Sequence, residues 1–353
     1  MSKSMNLLSV AIVLSSLNLV ACSKPAAEQA TTDKPAEQKT EQKTEQGSNK
    51  PLKPFRFLTD WFAEAEHGGF YQAQADNLYK EKGLDVTIGM GGPQINNYQL
   101  LAANKAECII GYDLSTLNAI SQGMKIREVA ASFQKTPNVL IAHDDVKSID
   151  QIKGKTLLVS SAQMTEWYPW LKAKYNLNDN AVKPYTFSIQ PFMNDKNIVQ
   201  QGYISSEPYA IQQAGAKPNV FLLSDYGYPA YGAVIVCRPD VIDSRPDDVK
   251  AFLEATMQGW KNYFKDGTKA NQTIFKLNPQ MTQGQIDYGV EQMKKNGFVF
   301  GGDAATKGIG TISEQRMNDI WQMATSLKLV DGTKAPKDSF YTTKFIDQVK
   351  VLP

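Results

Sequence analysis

The side chains able to do chemistry gather in five short turns, each following an apolar run. They are Asp60-Trp61 leading to His67-Gly68-Gly69-Phe70-Tyr71; Gly91-Gly92-Pro93-Gln94; Tyr112-Asp113-Leu114-Ser115; residues 160–167, with Met164, Glu166 and Trp167; and residues 202–209, with Tyr203 and Glu207. Carboxylates and aromatic rings recur together there, a combination that can stack a flat ring and hydrogen-bond its edge. Acid–base work is open in principle to Glu64, Glu66 and Glu166, but nothing marks a partner nucleophile or base for them. The sequence has no HExxH, CxxC, GxSxG or Walker loop, no GxGxxG follows the first strand, and the only histidines, His67 and His143, lack metal-ligand spacing. A non-catalytic binder with no metal and no cofactor is the expectation.

Each of these residues also has a purely structural use. Trp61 at a strand end serves core packing equally well, and a lone histidine is more often a hydrogen-bonded structural group than a ligand. Gly91-Gly92-Pro93 would open a helix at Gln94 whose free amides could hold a polar group, yet a tight strand-to-helix turn needs those glycines anyway. Glu207 before Pro208 suits a helix start as well as a ligand.

The elements that must position these turns alternate. Strand-like runs FRFLTDW (55–61), LDVTIGM (84–90), ECIIGYD, REVAASF and NVLIAH (138–143) are separated by segments of helical period near 69–82, 95–105 and 114–122. A second series begins with TLLVSS after Gly154-Lys155. It continues with a helix over 166–175, a strand near Thr186, a helix over 194–201 and VFLLSD. After AVIVCRPD (233–240) the chain reads as mainly helical, with Pro246 at a helix start followed by Asp247 and Asp248. This βαβα rhythm predicts an α/β protein with parallel sheets in two lobes. Ligands of such sheets bind beyond the carboxyl ends of strands, where the five turns lie.

Formal net charge is +2 with 21% charged residues, and no basic stripe argues for nucleic acid. The first residues read as an export leader: Lys3, an apolar run over 6–20 too short to span a bilayer, and Leu19-Val20-Ala21-Cys22. The leader resembles a bacterial lipobox, which implies lipidation of Cys22 as the anchor; Ser23 after it is compatible with outer-membrane sorting by the same likeness. A Glu, Gln, Lys, Thr, Ala and Pro tract to about Lys53 then reads as a disordered tether. Cys108 and Cys237, each inside an apolar strand-like run, are expected to be reduced, buried thiols packing as small hydrophobes. A disulfide would require their Cα atoms to come within roughly 7 Å.

The segments DWFAEAEHGGFYQAQADNLYKEKGLDVTIGMGG, LLAANKAECIIGYDLSTLNAISQG, DQIKGKTLLVSS and QQGYISSEPYAIQQAG, in that order, resemble the extracytoplasmic solute-binding proteins of ABC importers in the NMT1/THI5-like branch. The likeness runs from about Phe55 to about Phe264. It implies a type II periplasmic-binding-protein fold: two α/β lobes joined by two crossover strands, here near NVLIAH and AVIVCR, with a ligand cleft between them. The expected organisation is a leader over 1–21, a lipid-anchored linker over 22–53, a first lobe over 54–140 and 234–353, and a second lobe over 141–233. It further implies a small-molecule ligand, a membrane permease with its ATPase as partners, no nucleic acid, a monomer, and a place on the periplasmic side of a bacterial membrane.

Ligands in this branch include thiamin pyrimidine precursors, riboflavin, alkanesulfonates and nitrate. Oxyanions usually need guanidinium or ammonium donors or several free amides, and none of the five arginines, Arg56, Arg127, Arg238, Arg245 and Arg316, falls in the strand-end turns. A neutral, nitrogen-rich ring fits carboxylates and aromatics better. The DW-to-HG spacing resembles that of the pyrimidine-precursor group, so an aminopyrimidine is the expected solute. Its expected contacts are Asp60, Trp61, His67, Phe70, Gly91, Gly92, Asp113, Met164, Glu166, Trp167, Phe192, Tyr203 and Glu207. The self-consuming pyrimidine synthase of the branch carries a cysteine-rich motif that this chain lacks.

Overall fold

The computed structural model describes residues 51–353. The leader, Cys22 and the tether to residue 50 lie outside the described residues. Among the described residues ten strands form two five-stranded sheets: β1 (Lys53–Leu58), β2 (Leu84–Gly89), β3 (Cys108–Gly111), β4 (Arg127–Ala131), β5 (Asn138–Ala142), β6 (Thr156–Val159), β7 (Val182–Pro184), β8 (Ile198–Tyr203), β9 (Asn219–Leu222) and β10 (Val234–Cys237). The first sheet has the order β2-β1-β3-β10-β4 and the second β7-β6-β8-β5-β9. The α/β class is therefore as the sequence rhythm indicates.

Strand direction follows from how the chain enters each sheet. Within a lobe, returns through helices give parallel pairs, β1 with β2 and β3, and β6 with β7 and β8. β5 enters the second sheet straight from β4 through residues 132–137, and β10 re-enters the first from β9 through residues 223–233. These two strands run antiparallel to both of their neighbours. They are also buried along their whole length, as expected of strands covered on both faces, whereas edge strand β2 alternates buried and exposed positions over its first four residues.

The two passages between the sheets are held together by Arg316, on the helix Glu314–Ser326. Its Nε donates to Pro229 O at 2.7 Å and its Nη2 to Ala230 O at 3.3 Å, both on the return passage, while Nη1 donates to Gln134 O on the outward one. The guanidinium also lies 4.3 Å from the centre of the Tyr231 ring.

The helical final third packs on the first lobe. Helix Pro246–Lys265 lies against helix Gly68–Ala75, and a Cβ at Gly259 would come 2.2 Å from Gly69 O, so glycine is what permits the approach. Phe252 from the same helix stacks on Phe55 of β1 with ring centres 4.7 Å apart.

Cys108 and Cys237 are not reduced thiols: they face each other in the β3–β10 pairing, their Cα atoms 4.1 Å apart, and form a disulfide. Each run alone looks like an ordinary core strand, and only the long-range pairing shows the two thiols to be opposite. Residues 194–201 do not form a helix. The helix there is Gln190–Asn194, and Ile198–Tyr203 is β8, drawn into the centre of the second sheet by its neighbours on both sides. The strand expected near Thr186 ends at Pro184. The helix over 69–82 is split at Asn77, which has a left-handed backbone (φ 58°). The helix expected over 95–105 is shorter, Asn97–Ala102, started by Asn96, whose Oδ1 accepts from Gln99 N at 3.1 Å.

Candidate functional site

β1 ends at Leu58, two residues before Asp60, and the chain then turns through Glu64 into a short 3-10 turn, Ala65–His67, ahead of helix Gly68–Ala75. His67 is buried, its Nδ1 accepting from the Glu64 amide at 3.3 Å. That leaves Nε2 as the protonated nitrogen, and it donates to Asp60 Oδ1 at 2.9 Å. The other oxygen of Asp60 accepts from the Tyr112 hydroxyl. Burial alone would raise the Asp60 pKa, but the hydrogen bonds from His67 and Tyr112 outweigh it and hold the carboxyl below its ordinary value. Asp60 is thus a fixed anion, and the Tyr112 hydroxyl continues from it to Tyr203 Oη of the second lobe, 3.1 Å away.

Two further contacts cross between the lobes in opposite senses. Glu66 of the first lobe accepts from the Ser205 hydroxyl of the second, and Glu166 of the second accepts from Ser115 of the first. Ser115 lies in the first turn of helix Asp113–Ser121. Glu166 is only 6% exposed, and burial, reinforced by the charge of Asp113, pushes its carboxyl up to about 8. Burial, with the charges of Glu66, Glu207 and Asp60, likewise raises Glu64 well above the carboxylate range. An aromatic contact joins the same two walls: the Trp61 ring lies 4.7 Å from that of Phe187, in the turn after β7, and 5.4 Å edge-on from Phe62.

The expected contact residues therefore divide. Asp60, Trp61, His67, Glu166 and Tyr203 meet at or beside the facing walls of the lobes. Asp113 is fully buried at its helix start, with Oδ2 accepting from Gly232 N of the return passage at 3.1 Å; burial raises its pKa. Glu207 is committed to its own lobe, accepting from Tyr203 N at 2.8 Å and from the Tyr185 hydroxyl at 3.1 Å. Burial raises its pKa as well. Phe70, Trp167 and Phe192 are fully buried. Phe70 stacks on Phe57, Phe192 stacks on His143, and Trp167 joins the second-lobe core, so these three act here as packing groups rather than as a ligand wall. Met164 packs, partly buried, against the same core.

Gly91 and Gly92 are buried, and a Cβ at Gly91 would lie 2.4 Å from Thr59 O. The Gly91 amide donates to Thr59 Oγ1 at 3.2 Å, so this turn braces the end of β1. No helix begins at Gln94 to offer free amides.

Tyr112, Ser115 and Ser205 lie in turns that the sequence marks, although none stands out there by itself, and Phe187 lies in none of them. A solitary phenylalanine between a proline-ended strand and a short helix carries no signal of its own. Among the described residues no three His, Cys, Asp or Glu side chains converge as a metal site requires. Four arginines are committed elsewhere: Arg56 to Glu107, Arg238 to Asp240, Arg245 to Asp248, and Arg316 to the passages. The facing walls thus present aromatic rings, an anion and hydroxyls, with no cationic side chain among the groups named.

The sequence model of the family described as NMT1/THI5 like matches residues 64–270. The chain belongs to this family. Riboflavin-binding protein RibY of Chloroflexus aurantiacus is 22% identical to this NMT1/THI5-like chain over 285 residues, covering 78% of the chain and 79% of that protein. The periplasmic aliphatic sulphonate binding protein SsuA from Escherichia coli has the same fold, with a TM-score of 0.61 at 10% identity over 79% of this chain and 88% of that one. So has the desulfurization enzyme DSZB, with a TM-score of 0.56 at 12% identity over 84% and 98%. Likeness at such identities establishes the periplasmic-binding-protein fold and leaves cargo and activity to be argued from the site.

Proposed function

We propose that this NMT1/THI5-like protein is the solute-binding component of an ABC importer, capturing a flat, neutral, nitrogen-rich heterocycle and delivering it unaltered to a membrane permease served by an ATPase. The observation that carries this reading is the pairing of Trp61 with the Asp60–Tyr112–Tyr203 chain, which spans both lobes. A ring stacked on Trp61 would present amino groups to the fixed Asp60 anion and ring nitrogens to hydroxyls and protonated carboxyls. The lobes open and close about residues 132–137 and 223–233, and solute favours the closed form through contacts it makes only there. The reading includes a monomer anchored through a lipidated Cys22 on the periplasmic side.

An aminopyrimidine of the thiamin-precursor type is the solute that suits the carboxylates best. Riboflavin is the second reading, favoured by the likeness to RibY. Titration calorimetry with a hydroxymethyl aminopyrimidine, riboflavin and an alkanesulfonate ranks them. The aromatic solutes should bind and the sulfonate should not, and Trp61→Ala should weaken binding by about 1–3 kcal/mol. Preferential binding of the sulfonate, or chemical change of a bound solute seen by mass spectrometry, would refute the assignment.

A further inference from the structure

Phe187 is poorly explained by packing. Its ring is 47% exposed and its backbone is left-handed at φ 60°, a conformation costly for a bulky side chain. On either side the chain is well anchored. Tyr185 N donates to Val159 O at 3.1 Å, the Tyr185 hydroxyl donates to Glu207 at 3.1 Å, and Gln190 starts the next helix. The turn between therefore adopts a strained residue that gains little from burial. What its ring does gain is Trp61, 4.7 Å away across the gap between the lobes at an interplanar angle of 44°, with Tyr185 behind it at 5.3 Å.

Trp61 has Phe62 edge-on at one side and Phe187 at another, so its indole is already engaged by a ring from each lobe. We propose that Phe187 is a built-in competitor of the solute: with no solute bound its ring takes the place on Trp61 that the solute's own ring occupies. The proposal rests on the cleft being the solute site and adds a rule of selection to it. A solute with an aromatic face replaces the contact it removes and lets Phe187 leave its strained conformation. A small oxyanion or an aliphatic chain removes the same contact and restores nothing. The ring thus raises the threshold a solute must pass, and the threshold is aromatic in kind.

The experiment is calorimetry with riboflavin and a hydroxymethyl aminopyrimidine on the wild-type protein and on Phe187→Ala, Phe187→Gly and Trp61→Ala. Loss of the competing ring should tighten the aromatic probe about three- to tenfold in both Phe187 variants, the worth of one aromatic pair, and Trp61→Ala should weaken it. Tightening by Phe187→Ala alongside weakening by Trp61→Ala supports the proposal. Weaker binding in Phe187→Ala overturns it and makes the ring a clamp on bound solute; unchanged binding overturns it too. Unchanged binding in Trp61→Ala, or no binding of either probe, removes the cleft reading itself and the proposal with it. A solute-free readout stands apart from both probes: Trp61 emission, isolated by difference from Trp61→Phe, should become more accessible to acrylamide in Phe187→Ala. No change there shows the contact absent in solution. Circular dichroism spectra matching that of the wild type certify the variants as folded, and Phe187→Gly, which relieves the left-handed backbone, should melt no lower than Phe187→Ala.

Discussion

The Ser115 hydroxyl of the first lobe donates to the Glu166 carboxyl of the second, and Glu166 is buried where the two lobes meet. In that place its pKa is about 8, against about 4.3 for a free glutamate.

A carboxyl raised in this way supports the closed form fully below its ordinary pKa, and the support is lost as pH rises through the raised value. Glu64, Asp113 and Glu207 are raised as well and Asp60 is lowered, but Asp60 and Glu207 each bond within their own lobe, so those two shifts bear on folding and not on closure. The closed fraction, read by small-angle scattering or by a donor–acceptor pair on the two lobes, should fall as pH rises between about 5 and 8. Glu166→Gln, which stays uncharged, should flatten that slope. A slope equal to wild type in the variant would count against Glu166 as its source.

Tyr112 holds Asp60 with its hydroxyl and meets Tyr203 with the same atom. Tyr112→Phe keeps the ring and removes both contacts, so closure should weaken by about 0.5–1.5 kcal/mol and the Asp60 pKa should rise. Carbon-detected NMR titration of Asp60 checks the second point, and an unmoved pKa would show that His67 alone sets it.

Glu207 gives both of its oxygens to its own lobe. Glu207→Ala should lower stability by about 1–3 kcal/mol in urea unfolding, because the Tyr203 amide and the Tyr185 hydroxyl lose their acceptor. Solute binding measured well below the unfolding midpoint should change little. A loss of binding without a loss of stability would return Glu207 to the list of solute contacts.

The disulfide joins residues 129 apart and so encloses the whole second sheet within its loop. Reduction, or Cys108→Ser with Cys237→Ser, should cost about 2–4 kcal/mol in unfolding free energy. Equal melting of oxidised and reduced protein would show the bond to be dispensable.

How far the sequence was readable depended on the range of the interaction. Alternating apolar runs and helical segments marked nine of the ten strands closely enough to predict two α/β lobes, because burial of β-branched residues is decided locally. Residues 198–203 failed for the converse reason: Gln200, Gln201 and Gly202 carry no strand signal, and the pairing with β5 and β6 on either side makes them one. At the site, Asp60, Trp61 and His67 were visible as a clustered turn. Trp167 and Phe192 looked equally promising and proved to be core, since a strand-end position does not say which way a ring faces. Phe187, Ser205 and the Cys108–Cys237 bond depend on contacts between segments far apart in the chain, which no local pattern records.

Arg316 binds the outgoing and the returning passage through carbonyl oxygens alone. Such acceptors are supplied by any amino acid, so the grip belongs to the guanidinium and not to the side chains of the passages. Two separate connectors would let the second lobe twist as well as swing. Fastened at one point, they would share a common axle and leave a single direction of travel. Arg316→Gln should therefore release the lobes into sideways wobble, widening the distribution of inter-lobe distances in pulsed electron resonance without shifting its closed peak, and an unbroadened distribution would locate the axle elsewhere.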